Sequence, residues 1–170
     1  MTNFLEFLEA HKDFPRAGVR FYCIARLLRE QFPAVMRELA LQLRPHIGYH
    51  REKICFAGIE SRGFLLAAGL AAAMSRGVVL IRKKGKLPGI AIASQEITLE
   101  YGQETLEVQY GNCKVILCDD VLATGGTLLG AEKLLTRAGY DVVHKVCLLN
   151  LKHLNTVPAD DLTSLIDVWN

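Results

Sequence analysis

Residues 114–131, KVILCDDVLATGGTLLGA, run from an apolar stretch through two adjacent acids to a Thr-Gly-Gly-Thr, then into a segment with apolar residues at helical spacing. The opening run is continuously apolar and β-branched, as in a strand buried on both faces. Leu128, Ala131, Leu135 and Ala138 place an apolar stripe on the following helix, which Gly139 stops. The join between them is poor material for a connecting turn, because adjacent carboxylates repel and paired glycines cost backbone entropy. In an open α/β sheet, ligands collect just beyond the carboxyl ends of the strands, and this join falls at such an end. Gly125 and Gly126 let the backbone come close to a ligand. The hydroxyls of Thr124 and Thr127, the exposed amides and the helix N-terminus suit a phosphate. Asp119 and Asp120 would repel one and suit the vicinal hydroxyls of a sugar instead. The segment therefore reads as a grip on a phosphorylated sugar. It is not a Walker loop, which needs G-x-x-x-x-G-K-[ST]. The competing reading is that the acids merely cap and the glycines merely turn.

The rest of the chain repeats the strand–helix alternation. KICFAGI (53–59) is a compact apolar run, followed by the turn-like ESRG and a helix over about 63–76. GVVLIRK (77–83) is a second β-branched run, and KGKLPG (84–89) is rich in turn signals and opens a mobile excursion. SQEITLEYG and TLEVQY alternate as a hairpin bent at Gly102, DVVHKVCLLNL (141–151) is another strand, and SLIDVW (164–169) suits an edge strand. Residues 3–11 and about 24–43 read as helices, the second interrupted at Pro33. The pattern predicts an α/β fold with a mostly parallel central sheet flanked by helices, in one domain spanning 1–170.

A net charge of +2 gives no global electrostatic case for nucleic acid. The cysteines at 23, 55, 113, 118 and 147 are odd in number and lack C-x-x-C spacing, which suits reduced thiols in a cytosolic protein. The N-terminal residues carry Glu6 and Glu9 without a basic region, unlike a signal peptide, and the longest apolar stretch, 64–74, is too short to span a bilayer. The expectation is a soluble, cytoplasmic protein with no membrane or nucleic-acid partner.

VILCDDVLATGGT (115–127) resembles the phosphoribosyl-pyrophosphate (PRPP) motif of type I phosphoribosyltransferases. AGIESRGFLLAAGLA (57–71), LIRKKGKLPG (80–89), LEYGQETLEVQ (99–109) and DFPRAGVRF (13–21) are similar to blocks of the adenine branch, in the same order and spacing, so the match runs from about 13 to 138. The resemblance implies the type I fold, with a small hood over about 13–26 and a flexible lid loop over about 84–102. It implies that Asp119 and Asp120 hold the ribose 2- and 3-hydroxyls and that Ala123, Thr124, Gly125, Gly126 and Thr127 wrap the 5-phosphate. Ser61 and Arg62 would form the pyrophosphate loop, joined by Arg82, Lys83 and Lys86; standing alone, these would read as a capped helix and a solvated basic face. Glu100 would be the acid/base group above the purine, and Tyr101 would help close the lid. Mg²⁺ would come carried on PRPP with no direct protein ligand, and the protein would be a homodimer. The implied reaction joins a purine nitrogen to C1 of PRPP and expels pyrophosphate.

One block departs from the branch. Tyr22 and Cys23 stand where Arg-Asp follows G-V-x-F, in the hood that covers the base. Arg20, Phe21 and Tyr22 are the base-binding candidates: Arg20 either meets a substrate oxygen or faces solvent, and Phe21 either stacks on the purine or packs as a core aromatic. The departure leaves two alternatives to adenine transfer: the same chemistry on another base such as a 6-oxopurine, or a PRPP- or nucleotide-sensing regulator with little catalysis.

Overall fold

The apolar run that opens at Lys114 forms strand β7 (Lys114–Leu122), which continues past its sequence signal and carries Asp119 and Asp120 within its carboxyl end. The computed structural model describes residues 2–48, 54–89, 92–99 and 102–169. On one side of β7 lie β3 (Ile54–Ile59) and then β4 (Gly77–Lys83); on the other lie β8 (Asp141–Leu151) and then β9 (Leu162–Val168), all parallel to their neighbours. β6 (Gly102–Gln109) runs antiparallel on β4 and pairs with β5 (Ile92–Leu99), giving the order β5-β6-β4-β3-β7-β8-β9 among the described residues.

Alternate residues of each inner strand feed two cores. Ile54, Phe56, Ile116, Cys118, Val146 and Leu148 pack in one cluster with α1 (Ala25–Ile47) and α2 (Gly63–Met74). Ala57, Ile59, Val115, Leu117 and Cys147 pack in the other with α3 (Gly126–Arg137) and with Ile97 and Leu106 of the β5–β6 hairpin. Burial on both faces explains why these runs are continuously apolar rather than alternating. α3 is tied to the sheet by an ion pair at 2.7 Å between Glu132 and Lys145, whose ammonium is almost wholly buried and so needs this partner.

Several expectations are corrected in detail. Residues 3–11 are not a helix: a single 3-10 turn, Phe4–Phe7, precedes strand β1 (Glu9–Lys12), which pairs antiparallel with β2 (Arg20–Cys23). The turn packs Phe4 and Phe7 on the first core, and pairing with β2 captures the next four residues. Pro33 does not interrupt α1, which continues through it and Pro45 to Ile47. A proline inside a helix costs ~3 kcal/mol, and burial of Leu27, Val35, Met36, Leu39, Leu43 and Ile47, each worth roughly 2 kcal/mol, outweighs it. The hairpin expected from the alternation of SQEITLEYG and TLEVQY forms as β5 paired with β6, and β5 lies within the stretch 84–102 that the resemblance gives to a lid. The edge strand near the C-terminus is β9, and all five cysteines are free thiols.

Candidate active site

The carboxyl ends of β3, β4 and β7 converge on one region, and close backbone packing sets its dimensions. A side-chain carbon placed on Gly63 would lie 2.8 Å from the Cys118 carbonyl oxygen, and one on Gly58 would lie 2.7 Å from the Gly63 carbonyl oxygen. Without those carbons the first turn of α2 settles directly on the ends of β3 and β7. Arg62, the residue before α2, thereby reaches across the strand end, with Nε 2.8 Å from Asp120 Oδ2. The Glu60–Ser61 peptide leading into this turn is cis.

Asp120 is 7% exposed, and its Oδ2 has no hydrogen-bond partner although Arg62 is near. The contact is therefore an ion pair off the N–H axis: the charge is compensated, but an acceptor lone pair is left over. Asp119 Oδ1 accepts from the Asp120 amide at 2.9 Å. Burial, and then the charge of Asp120, hold the Asp119 carboxyl well above the usual carboxylate range, while the amide of Asp120 and Arg62 pull it down. Two carboxyls that resist joint ionisation, one with an unused buried acceptor, are matched by a ligand that brings hydroxyl donors.

Beyond these acids Gly125 caps α3 with φ +92, and Gly126 and Thr127 begin the helix. The first amides of a helix have no intrahelical acceptor, so this end offers donors to an anion. Thr156 Oγ1 donates to the Thr124 carbonyl at 2.9 Å, and a carbon on Gly125 would meet Val157 Cγ2 at 2.8 Å. Asn155 holds that support in place: its Oδ1 accepts from the Val157 amide at 2.6 Å and its Nδ2 donates to Oδ1 of the fully buried Asn150 at 3.0 Å. Sequence reasoning missed this brace, since no local signal marks a contact that joins 156 to 124.

Arg82, Lys83 and Lys86 come to the same region, each against a carboxylate. Arg82 Nε and the Lys83 amide donate to Glu60 Oε2 at 3.3 and 2.9 Å, and Lys86 Nζ donates to Glu60 Oε1 at 2.6 Å. Lys83 Nζ pairs with Glu104 at 2.6 Å. These bonds hold the Glu60 carboxyl down at about 2, the largest pull coming from Lys86. Glu60 was also missed, although it stands directly before Ser61 and Arg62. Its signal was an acid where a run of cations was in search of a partner.

The hood places its candidates on opposite faces. Strand alternation puts Arg20 and Tyr22 on one side and Phe21 and Cys23 on the other. Tyr22 packs on the first core, as do Val121 and Ala123 of the acidic strand end, whereas Arg20 is exposed. Phe21 stands edge-on to Phe14 with ring centroids 5.1 Å apart and, with Cys23 and His11, lines a cavity of about 390 Å³. Phe21 and Tyr22 thus lie on opposite sides of β2. Glu100 and Tyr101 lie outside the described residues.

A model of the phosphoribosyl transferase domain matches residues 25–169, most of the chain. The chain belongs to the phosphoribosyltransferase family. It is 44% identical over 159 residues to an adenine phosphoribosyltransferase of Hydrogenovibrio crunogenus, covering 93% of this chain and 91% of that one. A second, from Rhodospirillum rubrum, is 40% identical over 173 residues and covers 95% and 98%. Among solved structures, the adenine phosphoribosyltransferase of Thermoanaerobacter pseudethanolicus superposes with a TM-score of 0.84 at 32% identity, covering 97% of this chain and 98% of that one. The Giardia lamblia enzyme, solved with 9-deazaadenine, gives 0.84 at 30%, covering 99% and 97%. The mostly parallel sheet with its acids and Gly-Gly turn is therefore a type I phosphoribosyltransferase fold, and the protein is a phosphoribosyltransferase enzyme.

Proposed function

We propose that this phosphoribosyltransferase transfers the 5-phosphoribosyl group of PRPP to adenine, forming AMP and releasing pyrophosphate, as a step of purine salvage. The observation that carries the reading is the 2.8 Å contact between Arg62 and Asp120, which sets an anion-binding turn directly against a diol-binding strand end. PRPP presents those two groups on neighbouring carbons of one ribose. Adenine as the base is supported by relatives of that name at 44% and 40% identity.

Each group has a task. Asp119 and Asp120 accept from the ribose 2- and 3-hydroxyls; Ala123, Thr124, Gly125, Gly126 and Thr127 enclose the 5-phosphate at the start of α3. Ser61 and Arg62, with Arg82, Lys83 and Lys86, receive the pyrophosphate. As the C1–O bond lengthens ahead of C1–N bonding, positive charge grows on the ribose and negative charge on the leaving group. Cations fixed in advance stabilise the latter without reorganising. Glu100, between β5 and β6, is assigned to proton traffic on the base, and Tyr101 to closing the lid so that water does not intercept the ribosyl cation. Arg20, Phe21 and Tyr22 are assigned to the base, and of these Tyr22 alone packs on the core that Val121 and Ala123 share.

The donor set fits a Mg²⁺ carried on PRPP: Asp120 is already paired with Arg62 and Asp119 Oδ1 with the Asp120 amide, so both carboxyls already hold partners of the protein's own. When bound, Mg²⁺ supplies charge neutralisation of the leaving pyrophosphate. We also assign the protein to the cytoplasm, on its five free thiols, and to a homodimer, on the exposed Val78 and Leu80 of β4 together with Leu65 of α2. Among the described residues no helix is long and apolar enough to cross a membrane.

Pyrophosphate release from PRPP and Mg²⁺, run in parallel with adenine, hypoxanthine, guanine, xanthine and no base, tests the reading. Release with adenine alone is expected. Release with a 6-oxopurine instead would replace the substrate, and silence with every base from protein that binds PRPP would leave a sensor. The hood is tested by restoring Tyr22→Arg and Cys23→Asp together. If the hood reads the base through its main chain, the order of preference among bases should stay the same; a reordering would place specificity in those side chains.

A further inference from the structure

Glu60 has a place in the site that the transfer reaction does not assign. Its side chain is 8% exposed, at the junction where β3 gives way to the turn carrying Ser61 and Arg62. Both carboxylate oxygens are engaged, and the partners come from another part of the chain: the guanidinium of Arg82, the amide of Lys83 and the ammonium of Lys86. Arg82 also donates from Nη1 to the Lys86 carbonyl at 3.3 Å, so the two cations are braced against each other as well as against Glu60. The turn between them is pinned from its other side, where the Gly85 amide donates to Glu107 Oε2 at 2.9 Å and the Lys84 amide to the Thr105 carbonyl at 2.9 Å.

We infer that Glu60 is a positioning residue for pyrophosphate recognition: it holds Arg82, Lys86 and the turn between them at a set distance from the Ser61–Arg62 loop. The inference rests on the phosphoribosyltransferase reading and adds to it what fixes the cations. The argument is one of ordering. Arg and Lys carry much rotamer freedom, and a site built from such side chains on a glycine-containing turn must lose that freedom when its anion binds unless something has already removed it. Glu60 removes it beforehand, and because Ser61 is its direct neighbour, the cations and the anion-binding loop share one anchor. A buried carboxylate with charge-assisted bonds at both oxygens is also a rigid anchor, since withdrawing Lys86 leaves Oε1 without its donor and withdrawing Arg82 leaves Oε2 with the Lys83 amide alone. Lys83 has a different role, because its ammonium is held by Glu104 and only its amide reaches Glu60.

The test is calorimetric titration of Mg-pyrophosphate into the full-length wild type, Glu60→Gln and Glu60→Asp, with steady-state KM values for PRPP and adenine on the same preparations. Glu60→Gln should weaken pyrophosphate binding and raise the KM for PRPP together, each about tenfold, with the KM for adenine within twofold. Glu60→Asp, which keeps the charge on a shorter arm, should recover part of the loss and covers the case in which the Gln variant folds poorly. Unchanged or tighter pyrophosphate binding in Glu60→Gln overturns the inference; tighter binding would make Glu60 a competitor for the cations. A parallel rise in both KM values, without recovery in Glu60→Asp, overturns it in favour of a purely structural role. Wild type that neither binds pyrophosphate nor turns over with any base defeats the enzyme reading itself, and the inference with it.

Discussion

Asp120→Asn should lower kcat/KM for PRPP about a thousandfold while the protein stays folded. The substitution keeps the shape of a side chain that is 10% exposed at the end of β7. It replaces an acceptor-only group with one that must turn an NH₂ toward either Arg62 or the ribose. Facing Arg62, the amide sets donor against donor and releases the guanidinium from the 2.8 Å contact that aims it; facing the ribose, it loses a hydroxyl acceptor. Both arrangements damage the same transition state. Stability should change little, because two effects oppose. The ion pair is lost, but Arg62 is about half exposed and can be hydrated, and Asp119 is freed from a like charge that burial makes costly. Steady-state kinetics with varied PRPP, alongside a thermal melt, measure both halves. A rate within tenfold of wild type would remove Asp120 from the site.

The charge balance around that contact gives it its leverage. Asp120, Glu60 and Glu104 are paired with Arg62, Arg82, Lys83 and Lys86, so most of the site's charge is compensated within the protein and its groups are held by each other. On the proposed reading, PRPP enters as an exchange: hydroxyl donors relieve the two aspartates, and phosphate oxygens take up the cations. Affinity in such a site comes from preorganisation more than from net charge, and single substitutions act by disordering their neighbours.

The legible parts of this architecture were those whose signal is local. An apolar run, two acids, two glycines and an apolar-periodic helix lie consecutively from 114 to 131, and the structure forms them in that order as β7, the turn at Gly125 and α3. The hairpin at 92–109 and the strand at 77–83 announced themselves in the same way. What stayed hidden depends on partners far along the chain. Phe4, Leu5, Phe7 and Leu8 have helical spacing, yet Glu9–Lys12 are claimed by a strand that begins at Arg20. Pro33 carries its local penalty, but the burial that outweighs it belongs to α1's far side. Glu60 meets cations 22 and 26 residues away, and Thr156 meets a carbonyl 32 residues back. Side-chain type marks such residues as able to bond without saying to what.

That last contact supports the second large effect expected. Gly125→Ala should reduce kcat/KM for PRPP about a hundredfold, expressed mainly in the KM for PRPP, with a lowered melting temperature. Gly125 sits at φ +92, where a non-glycine residue pays ~1–2 kcal/mol, and its new methyl would lie 2.8 Å from Val157 Cγ2. Val157 is itself buried, and its amide is held by Asn155, so it has little room to yield. The new methyl therefore displaces the loop that the proposed reading gives to the 5-phosphate. Combining Gly125→Ala with Val157→Ala separates the two causes, because truncating Val157 removes the collision and leaves the backbone strain. The double variant should regain roughly tenfold of the lost kcat/KM, even though Val157→Ala alone is mildly harmful, and that sign change is the mark of coupled neighbours. Simple additivity of the two losses would show that the 155–157 segment packs beside the phosphate loop without shaping it.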